Sequence, residues 1–438
     1  MYKVGLYTLG CKVSQYETTA LGEEFARRGF EICDFDGKND FYIVNTCTVT
    51  KESDRKCRQI IRRAAKNNPD GCVLVMGCYS QRTPLEISKI NGVYAVVGTE
   101  NKLSLVDEAE RILKQKRLGE VPEVTVRTTD VTKATFEPMT VKKAPRTRAY
   151  VKIEDGCESK CTYCAISGAR GRVRSKARED VIREVEALSE SGTCEIVLTG
   201  IETASYGRDL SSDYGLAELI CELSERRSAE RIRLGSLAPE LITPAFVEKV
   251  KDSRILTPHF HLSIQSGSDA VLRGMKRRYN SAMAMAVIDN IRDKIEGATF
   301  TTDLMVGFPG ESEENFMETV DFLRRARFLD AHVFAYSARE GTPAASYGGQ
   351  IPEEEKRRRS DMLIKIKNEV RDEVLSEIIK SGKPLSVIPE TFDGCGFVGH
   401  SDTYVEVWFS SECEALSGKI VEVIPVSHKD GRVYCKLG

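Results

Sequence analysis

Strand-length apolar runs alternate with helix-length amphipathic stretches through most of this chain, and few folds other than helix-covered parallel sheets satisfy such a pattern. Near the amino terminus, residues 3–9, 40–44 and 72–76 are apolar and extended in character, while 15–28 and 53–67 repeat apolar side chains at helical spacing. A cysteine follows each of the three apolar runs at once, in Leu9-Gly10-Cys11, Asn45-Thr46-Cys47 and Met76-Gly77-Cys78. Ligands of parallel sheets gather beyond the carboxyl ends of the strands. Topology therefore predicts that Cys11, Cys47 and Cys78 meet at one edge, although spacing alone is equally compatible with three unrelated core cysteines.

A second trio is compact: Cys157-Glu-Ser-Lys-Cys161-Thr-Tyr-Cys164. An iron–sulfur cubane normally takes four protein thiolates, so a three-cysteine loop leaves one iron open to another ligand. Buried or disulfide-bonded cysteines, or a zinc site short of its fourth ligand, are the structural alternatives. Gly156 and the polar residues between the thiols favour a loop over core packing.

At 438 residues the chain should hold two or three domains, each with its own core. A net charge of −2 with 30% charged residues describes a soluble globular protein. No apolar run is long enough to span a bilayer, and residues 1–10 read as a first strand rather than a signal peptide, so a cytoplasmic location is expected. Fourteen cysteines in a large chain without an export signal point to thiols and metal rather than disulfides. Cys33, Cys57, Cys72, Cys194, Cys221, Cys395, Cys413 and Cys435 have no motif around them and are expected to be packing residues.

Residues 118–145, rich in Thr, Val, Lys and Pro, read as a linker with extended pieces. Alternation then resumes, with strands expected near 149–154, 195–198, 231–234, 258–264, 299–306 and 331–335, helices between most of them, and a charged closing helix over 353–381. Six strands with intervening helices suggest a partial (β/α) barrel. From residue 383 onward, five short strands separated by Gly, Ser and Asp predict a small β-barrel.

Charge is distributed unevenly. Between Lys142 and Arg178 there are eleven Lys/Arg against three acids, which would attract a polyanion to the cysteine loop. Lys356-Arg-Arg-Arg359 reads as a solvated helix face. The last segment, from Lys383, carries five Lys/Arg against eight Asp/Glu, so any RNA contact there must use a local face, with Tyr404 or Trp408 stacking on a base.

The loop Asp155-Gly156-Cys157 through Cys164, followed by Arg170-Gly171-Arg172-Val173-Arg174-Ser175, resembles the radical SAM methylthiotransferases. His261-Leu-Ser-Ile-Gln265-Ser-Gly-Ser-Asp269 and Thr302-Asp303-Leu-Met-Val-Gly307-Phe-Pro309-Gly310-Glu311 are similar to the same family, and Gly399-His-Ser-Asp402-Thr-Tyr404 resembles its RNA-binding TRAM barrel. The resemblance covers nearly the whole chain. It implies an α/β fold in three parts joined by the linker 118–145: a parallel-sheet amino-terminal domain (1–117), a central partial (β/α)6 radical SAM barrel (146–381) and a TRAM-like barrel (382–438).

The same resemblance implies two [4Fe-4S] clusters and S-adenosyl-L-methionine as cofactors. Cys157, Cys161 and Cys164 would hold the radical-generating cluster, and Cys11, Cys47 and Cys78 the auxiliary cluster that carries sulfur. Tyr163, Gly200, Glu202, Ser236, Gln265 and Asp303 are candidate contacts to S-adenosylmethionine, the last five at or near strand ends, and each could equally be a satisfied polar residue of the barrel interior. Ser167 and Glu202 depart from the family pattern, which often has Pro and His or Asn there. Thr8-Leu-Gly-Cys11-Lys-Val-Ser-Gln-Tyr-Glu17 and Asn45-Thr-Cys47-Thr-Val-Thr50 look most like the branch acting on N6-threonylcarbamoyladenosine beside the tRNA anticodon, at position 37. The expected partners are tRNA, a small electron donor of the flavodoxin or ferredoxin type and a sulfur donor, with no membrane. The alternatives are isopentenyladenosine in tRNA, a ribosomal-protein aspartate, or a non-catalytic iron–sulfur RNA-binding protein. The residues do not speak to oligomeric state.

Overall fold

A computed structural model describes residues 1–144, 147–210 and 213–438. The chain divides into two compact units. Unit 1 comprises residues 1–141, 150–176 and 337–342; unit 2 comprises 142–149, 177–336 and 343–438.

Unit 1 is built on a six-stranded sheet of order β2-β1-β3-β4-β5-β6, parallel throughout. Its strands are β1 (Lys3–Thr8), β2 (Glu31–Cys33), β3 (Phe41–Thr46), β4 (Cys72–Gly77), β5 (Val93–Val97) and β6 (Thr125–Arg127). Helices α1 (Lys12–Arg27), α2 (Lys51–Asn67), α3 (Cys78–Arg82), α4 (Pro84–Ser88) and α5 (Ser104–Arg117) connect them. The central strands β3 and β4 are buried at every position, which is why their sequences run apolar without alternation. Thr50 caps α2 by accepting from the Ser53 amide, and the helix turns Cys57, Ile61 and Ala64 inward. The segment expected as a linker contributes β6, the edge strand on β5.

After β7 (Arg148–Lys152), the short strands β8 (Glu154–Asp155) and β9 (Arg174–Ser175) pair antiparallel and bracket the three-cysteine loop, with α6 (Ile166–Arg170) between them.

Unit 2 continues with α7 (Arg178–Glu190), β10 (Glu195–Thr199), α8 (Leu216–Arg226), β11 (Arg231–Leu234), β12 (Ser236–Leu237), α9 (Pro244–Val250), β13 (His259–Gln265), α10 (Asp269–Gly274), α11 (Ser281–Lys294), β14 (Thr299–Val306), α12 (Glu313–Ala326), β15 (Asp330–Ala335) and α13 (Glu353–Ser381). β10 and β11 pair in parallel, as do β12-β13-β14-β15 in that order. The strands alternate cleanly: Phe260, Leu262 and Ile264 of β13 are buried apolar residues, while His259, His261 and Ser263 point to the opposite, polar face.

The carboxyl-terminal strands β16 (Leu385–Phe392), β17 (Gly396–Ser401), β18 (Glu406–Ser410), β19 (Val421–Lys429) and β20 (Arg432–Leu437) form a closed barrel of order β16-β17-β18-β20-β19 around Val387, Phe397, Val407, Phe409, Val423 and Val433. Arg233 of β11 reaches this barrel, donating to the carbonyls of Ser401 at 3.1 Å and Asp402 at 3.0 Å while pairing with the fully buried Glu195 at 2.8 Å.

Two expectations change. The run at 356–359 is solvated only at Arg357 and Arg358, because Lys356 and Arg359 are buried and Arg359 pairs with Glu311 at 2.7 Å. Of the eight cysteines expected to pack, Cys57, Cys72 and Cys435 are buried, whereas Cys395 and Cys413 are exposed on the small barrel.

Candidate functional site

The registers of unit 1 level its strand ends, with Thr8 opposite Asn45 and Thr46 opposite Gly77. Cys11, Cys47 and Cys78 follow those ends directly, on adjacent strands of the sheet. A Cβ placed on Gly10 would lie 3.4 Å from the Cβ of Cys47, and the electrostatic influence of Cys11 and Cys47 extends to Cys78. The three cysteines thus follow neighbouring strand ends of one sheet. Gly77 is required at this edge: its φ of +108° lies in the region open to glycine, and a Cβ would stand 2.5 Å from the Thr46 carbonyl oxygen. Burial pushes the Cys78 thiol up to about 12, and it also raises that of Cys47.

The second trio shares unit 1 with the first. Gly156, at φ +88°, lets the chain turn under Arg172, whose carbonyl oxygen would sit 1.9 Å from any Cβ there. The Cys157 amide donates to Gly171 O at 3.0 Å, closing the loop at its base. Amides already face two of the sulfurs, Ser159 N to Cys157 Sγ and Ile166 N to Cys164 Sγ, each at 3.4 Å. None of the fourteen cysteines is in a disulfide.

Behind the thiols lies a charged network that the sequence did not announce. Arg170 is fully buried; its Nε donates to Cys78 Sγ at 3.2 Å, and its Nη1 to Glu17 at 2.8 Å and Asp155 at 3.0 Å. Lys152 bonds the same two carboxylates, at 3.1 and 2.9 Å, and Lys102 lies 3.4 Å from Glu17. Glu17 lies on the helix that follows Cys11, Asp155 two residues before Cys157, and Arg170 six residues after Cys164. One guanidinium thus ties together the segments that carry both trios. Burial opposes ionisation of Glu17 and Asp155, but Arg170 and the lysines overcome it and hold both carboxyls far below the usual carboxylate range.

These positions narrow the basic-stretch expectation. Lys152, Arg170, Arg174 and Lys176 are internal and cannot meet a polyanion, whereas Lys142, Lys143, Lys160, Arg172 and Arg178 are exposed; Arg146 lies outside the described residues. Tyr404 is not available for base stacking either: its ring is stacked with His259 at 4.5 Å and His400 at 5.0 Å, with Arg233 at 5.0 Å. Trp408 is half-buried and donates Nε1–H to Asp393 at 2.8 Å.

Of the candidate cofactor contacts, Tyr163 is half-buried within the cysteine loop of unit 1, and the others lie in unit 2. Gly200 follows β10. Buried Glu202 accepts from the Ala238 amide at 2.9 Å, and Ser236 and Ser263 share a hydroxyl contact of 2.9 Å. Gln265 ends β13 with a strained φ of +69°. Asp303 stands in the middle of β14 rather than at its end, between His261 Nε2 at 3.3 Å and His332 Nδ1 at 3.5 Å.

Burial raises the Glu202 carboxyl to about 7. A raised acid loses native stability as pH climbs from its unfolded value of 4.5 toward 7, because the native state resists giving up the proton. The apoprotein should therefore lose stability over that interval in urea titrations, and Glu202→Gln should flatten the loss.

Among the described residues, no three Cys, His, Asp or Glu side chains already stand in finished metal-binding geometry. The donors nevertheless suit iron–sulfur clusters in kind and number: two groups of three soft sulfurs, with amide or guanidinium N–H groups aimed at three of the sulfurs.

Comparison with known proteins bears on the whole chain. Residues 151–323 match the Radical SAM superfamily, and residues 3–98 match the Uncharacterized protein family UPF0004. The threonylcarbamoyladenosine tRNA methylthiotransferase MtaB of Bacillus subtilis is 40% identical, the match covering 97% of this chain and 93% of that protein. Its namesake in Thermotoga maritima is 36% identical over 92% and 90% of the two chains. The tRNA-2-methylthio-N(6)-dimethylallyladenosine synthase of Carboxydothermus hydrogenoformans is 32% identical over 95% of each. Among solved structures, the radical S-adenosylmethionine methyltransferase TsrM of Kitasatospora setae shares the fold, with a TM-score of 0.55, 16% identity and coverage of 79% of this chain and 77% of that one. On its extended identity to the Bacillus and Thermotoga proteins, the chain belongs to the tRNA methylthiotransferases of the radical SAM superfamily, in the threonylcarbamoyladenosine branch.

Proposed function

We propose that this protein adds a methylthio group to C2 of N6-threonylcarbamoyladenosine at position 37 of tRNA. The observation that carries the reading is the pair of cysteine trios within one compact unit, one on level strand ends and one in a glycine-turned loop. Cys157, Cys161 and Cys164 are assigned to the cluster that works with S-adenosylmethionine, and Cys11, Cys47 and Cys78 to the auxiliary cluster. Such cofactors supply the radical chemistry and the sulfur that no side-chain acid or base can provide at an aromatic carbon–hydrogen bond. The protein's own part is to fix the sulfurs, exclude water behind them through the buried network, and present Tyr163, Gly200, Glu202, Ser236, Gln265 and Asp303 as candidate groups for S-adenosylmethionine.

The division of labour follows residues 1–117, 146–381 and 382–438, joined by 118–145. A small acidic electron-transfer protein and a sulfur donor complete the partner set. No helix is long and apolar enough to cross a membrane among the described residues, and action on tRNA places the enzyme in the cytoplasm.

Nucleoside analysis of total tRNA from a deletion strain tests the assignment. The methylthio form of threonylcarbamoyladenosine should disappear and the unmethylthiolated nucleoside accumulate, both reversed by the gene on a plasmid. Unchanged methylthio-threonylcarbamoyladenosine would overturn the reading, and loss of methylthio-isopentenyladenosine instead would move the protein to the sister branch.

A further inference from the structure

Four of the eleven cations expected to hold RNA are buried, and the small barrel is acidic. A different element carries a row of exposed positive charge. From Arg55 to Pro69 the sequence holds six Lys/Arg and no acid. These residues lie on α2, whose buried face is Cys57, Ile61 and Ala64. At 100° per residue, Lys51, Arg55, Arg58, Arg62 and Lys66 fall within one narrow stripe beside that face, because their spacings of four, three, four and four residues follow the helical repeat.

Lys51, Arg55, Arg62 and Lys66 are exposed, and the side chains of Lys51, Arg62 and Lys66 make no ion pair or hydrogen bond among the described residues. The two acids of the first turn are engaged elsewhere, Glu52 with Arg55 and Asp54 with Arg339. A surface charge run is ordinarily a solvated helix face, and such faces usually interleave both signs to hold i,i+4 pairs. This stripe does not.

Its placement is also fixed with respect to the cysteines. Cys57 on the buried face contacts the backbone N and O of Cys47, each at 3.4 Å, and Arg58 donates to the Tyr79 hydroxyl at 2.6 Å, one residue past Cys78. The helix begins three residues after Cys47 at its cap, Thr50. The row of charge therefore starts at the cysteine-bearing edge and runs away from it for about 22 Å, at about 1.5 Å per residue.

We propose that the outer face of α2 is the docking surface for the sugar–phosphate backbone of the substrate RNA, a stripe that seats about six phosphates of a stacked strand at about 3.4 Å each. The proposal rests on the tRNA reading above. Backbone contacts of this kind set register and orientation without reading sequence.

The test uses the full chain with its clusters reconstituted anaerobically, and tRNA purified from the deletion strain. The variant is Lys51→Gln/Arg62→Gln/Lys66→Gln, three exposed positions whose side chains hold no other residue. The control is Arg325→Gln/Arg357→Gln/Lys365→Gln, an equal charge change at exposed sites of unit 2. The test variant should weaken tRNA binding about tenfold near physiological salt and lower the slope of log affinity against log salt by about two, at about 0.7 per lost phosphate contact. Its iron content and its 5′-deoxyadenosine yield without tRNA should match the unmodified enzyme, and the control should bind normally. An unchanged slope, or an equal loss in the control, overturns the proposal while leaving the tRNA assignment intact. Normal tRNA binding with impaired reduction by an acidic electron-transfer protein also overturns it and gives the stripe to that partner. If the unmodified enzyme binds no tRNA, the functional reading fails together with the proposal.

Discussion

Replacing Cys157, Cys161 and Cys164 together by Ala should halve the iron of the reconstituted protein, from about eight to about four atoms per chain for two cubanes. It should abolish 5′-deoxyadenosine formation from S-adenosylmethionine. The complementary triple change at Cys11, Cys47 and Cys78 should also leave about four irons, yet retain 5′-deoxyadenosine formation and yield no methylthio product. The contrast separates two clusters with two tasks from one cluster shared among six thiols. Loss of all iron in either variant would refute the assignment. Mössbauer spectroscopy on anaerobic protein gives the count and the cluster type in one measurement.

Glu17→Ala should be the most damaging single substitution outside the cysteines. The carboxylate is wholly buried and faces Arg170, Lys152 and Lys102 at 2.8, 3.1 and 3.4 Å. Removing one partner from a buried pair leaves uncompensated charge and costs about 3–5 kcal/mol. An exposed pair such as Lys383 with Glu296, whose side chains are 69% and 85% accessible, contributes far less because water screens it. Hydrogen exchange of the β1, β3 and β4 amides should report the loss. Tryptophan fluorescence cannot replace it, since the single Trp408 lies in the small barrel and senses another core. A Glu17→Ala protein whose strand amides exchange as slowly as before would show that the network does not support this unit.

Much of the site was legible because it follows from periodicity. Apolar runs followed by Cys11, Cys47 and Cys78 announced both the sheet and the edge at which these cysteines lie. Burial of charge was not legible. Arg170 and Lys152 look in sequence like the exposed residues of any basic stretch, and only their shared pairing with distant Glu17 and with Asp155 stabilises their interior position. Tyr404 misled for a related reason: aromatic character advertises a stacking surface, and the sequence does not reveal that His259 and His400 already occupy it. Asp303 was placed near a strand end although the strand expected over 299–306 is the one observed, with Asp303 in its middle. The stripe on α2 was visible in the residues, yet became informative only once the structure showed which of its cations are exposed.

Unit 1 gathers its members from three separated stretches of chain, the last of which places Arg339 2.8 Å from Thr48 and in contact with Asp54. During synthesis, a nascent chain that has emerged only through residue 141 holds Cys11, Cys47 and Cys78 and lacks Arg170, the guanidinium that binds Cys78. On the cluster assignment proposed above, metallation of this fold belongs late in translation, and a fragment cut at the end of the first stretch would keep Glu17 and Lys102 without Arg170, Lys152 and Asp155.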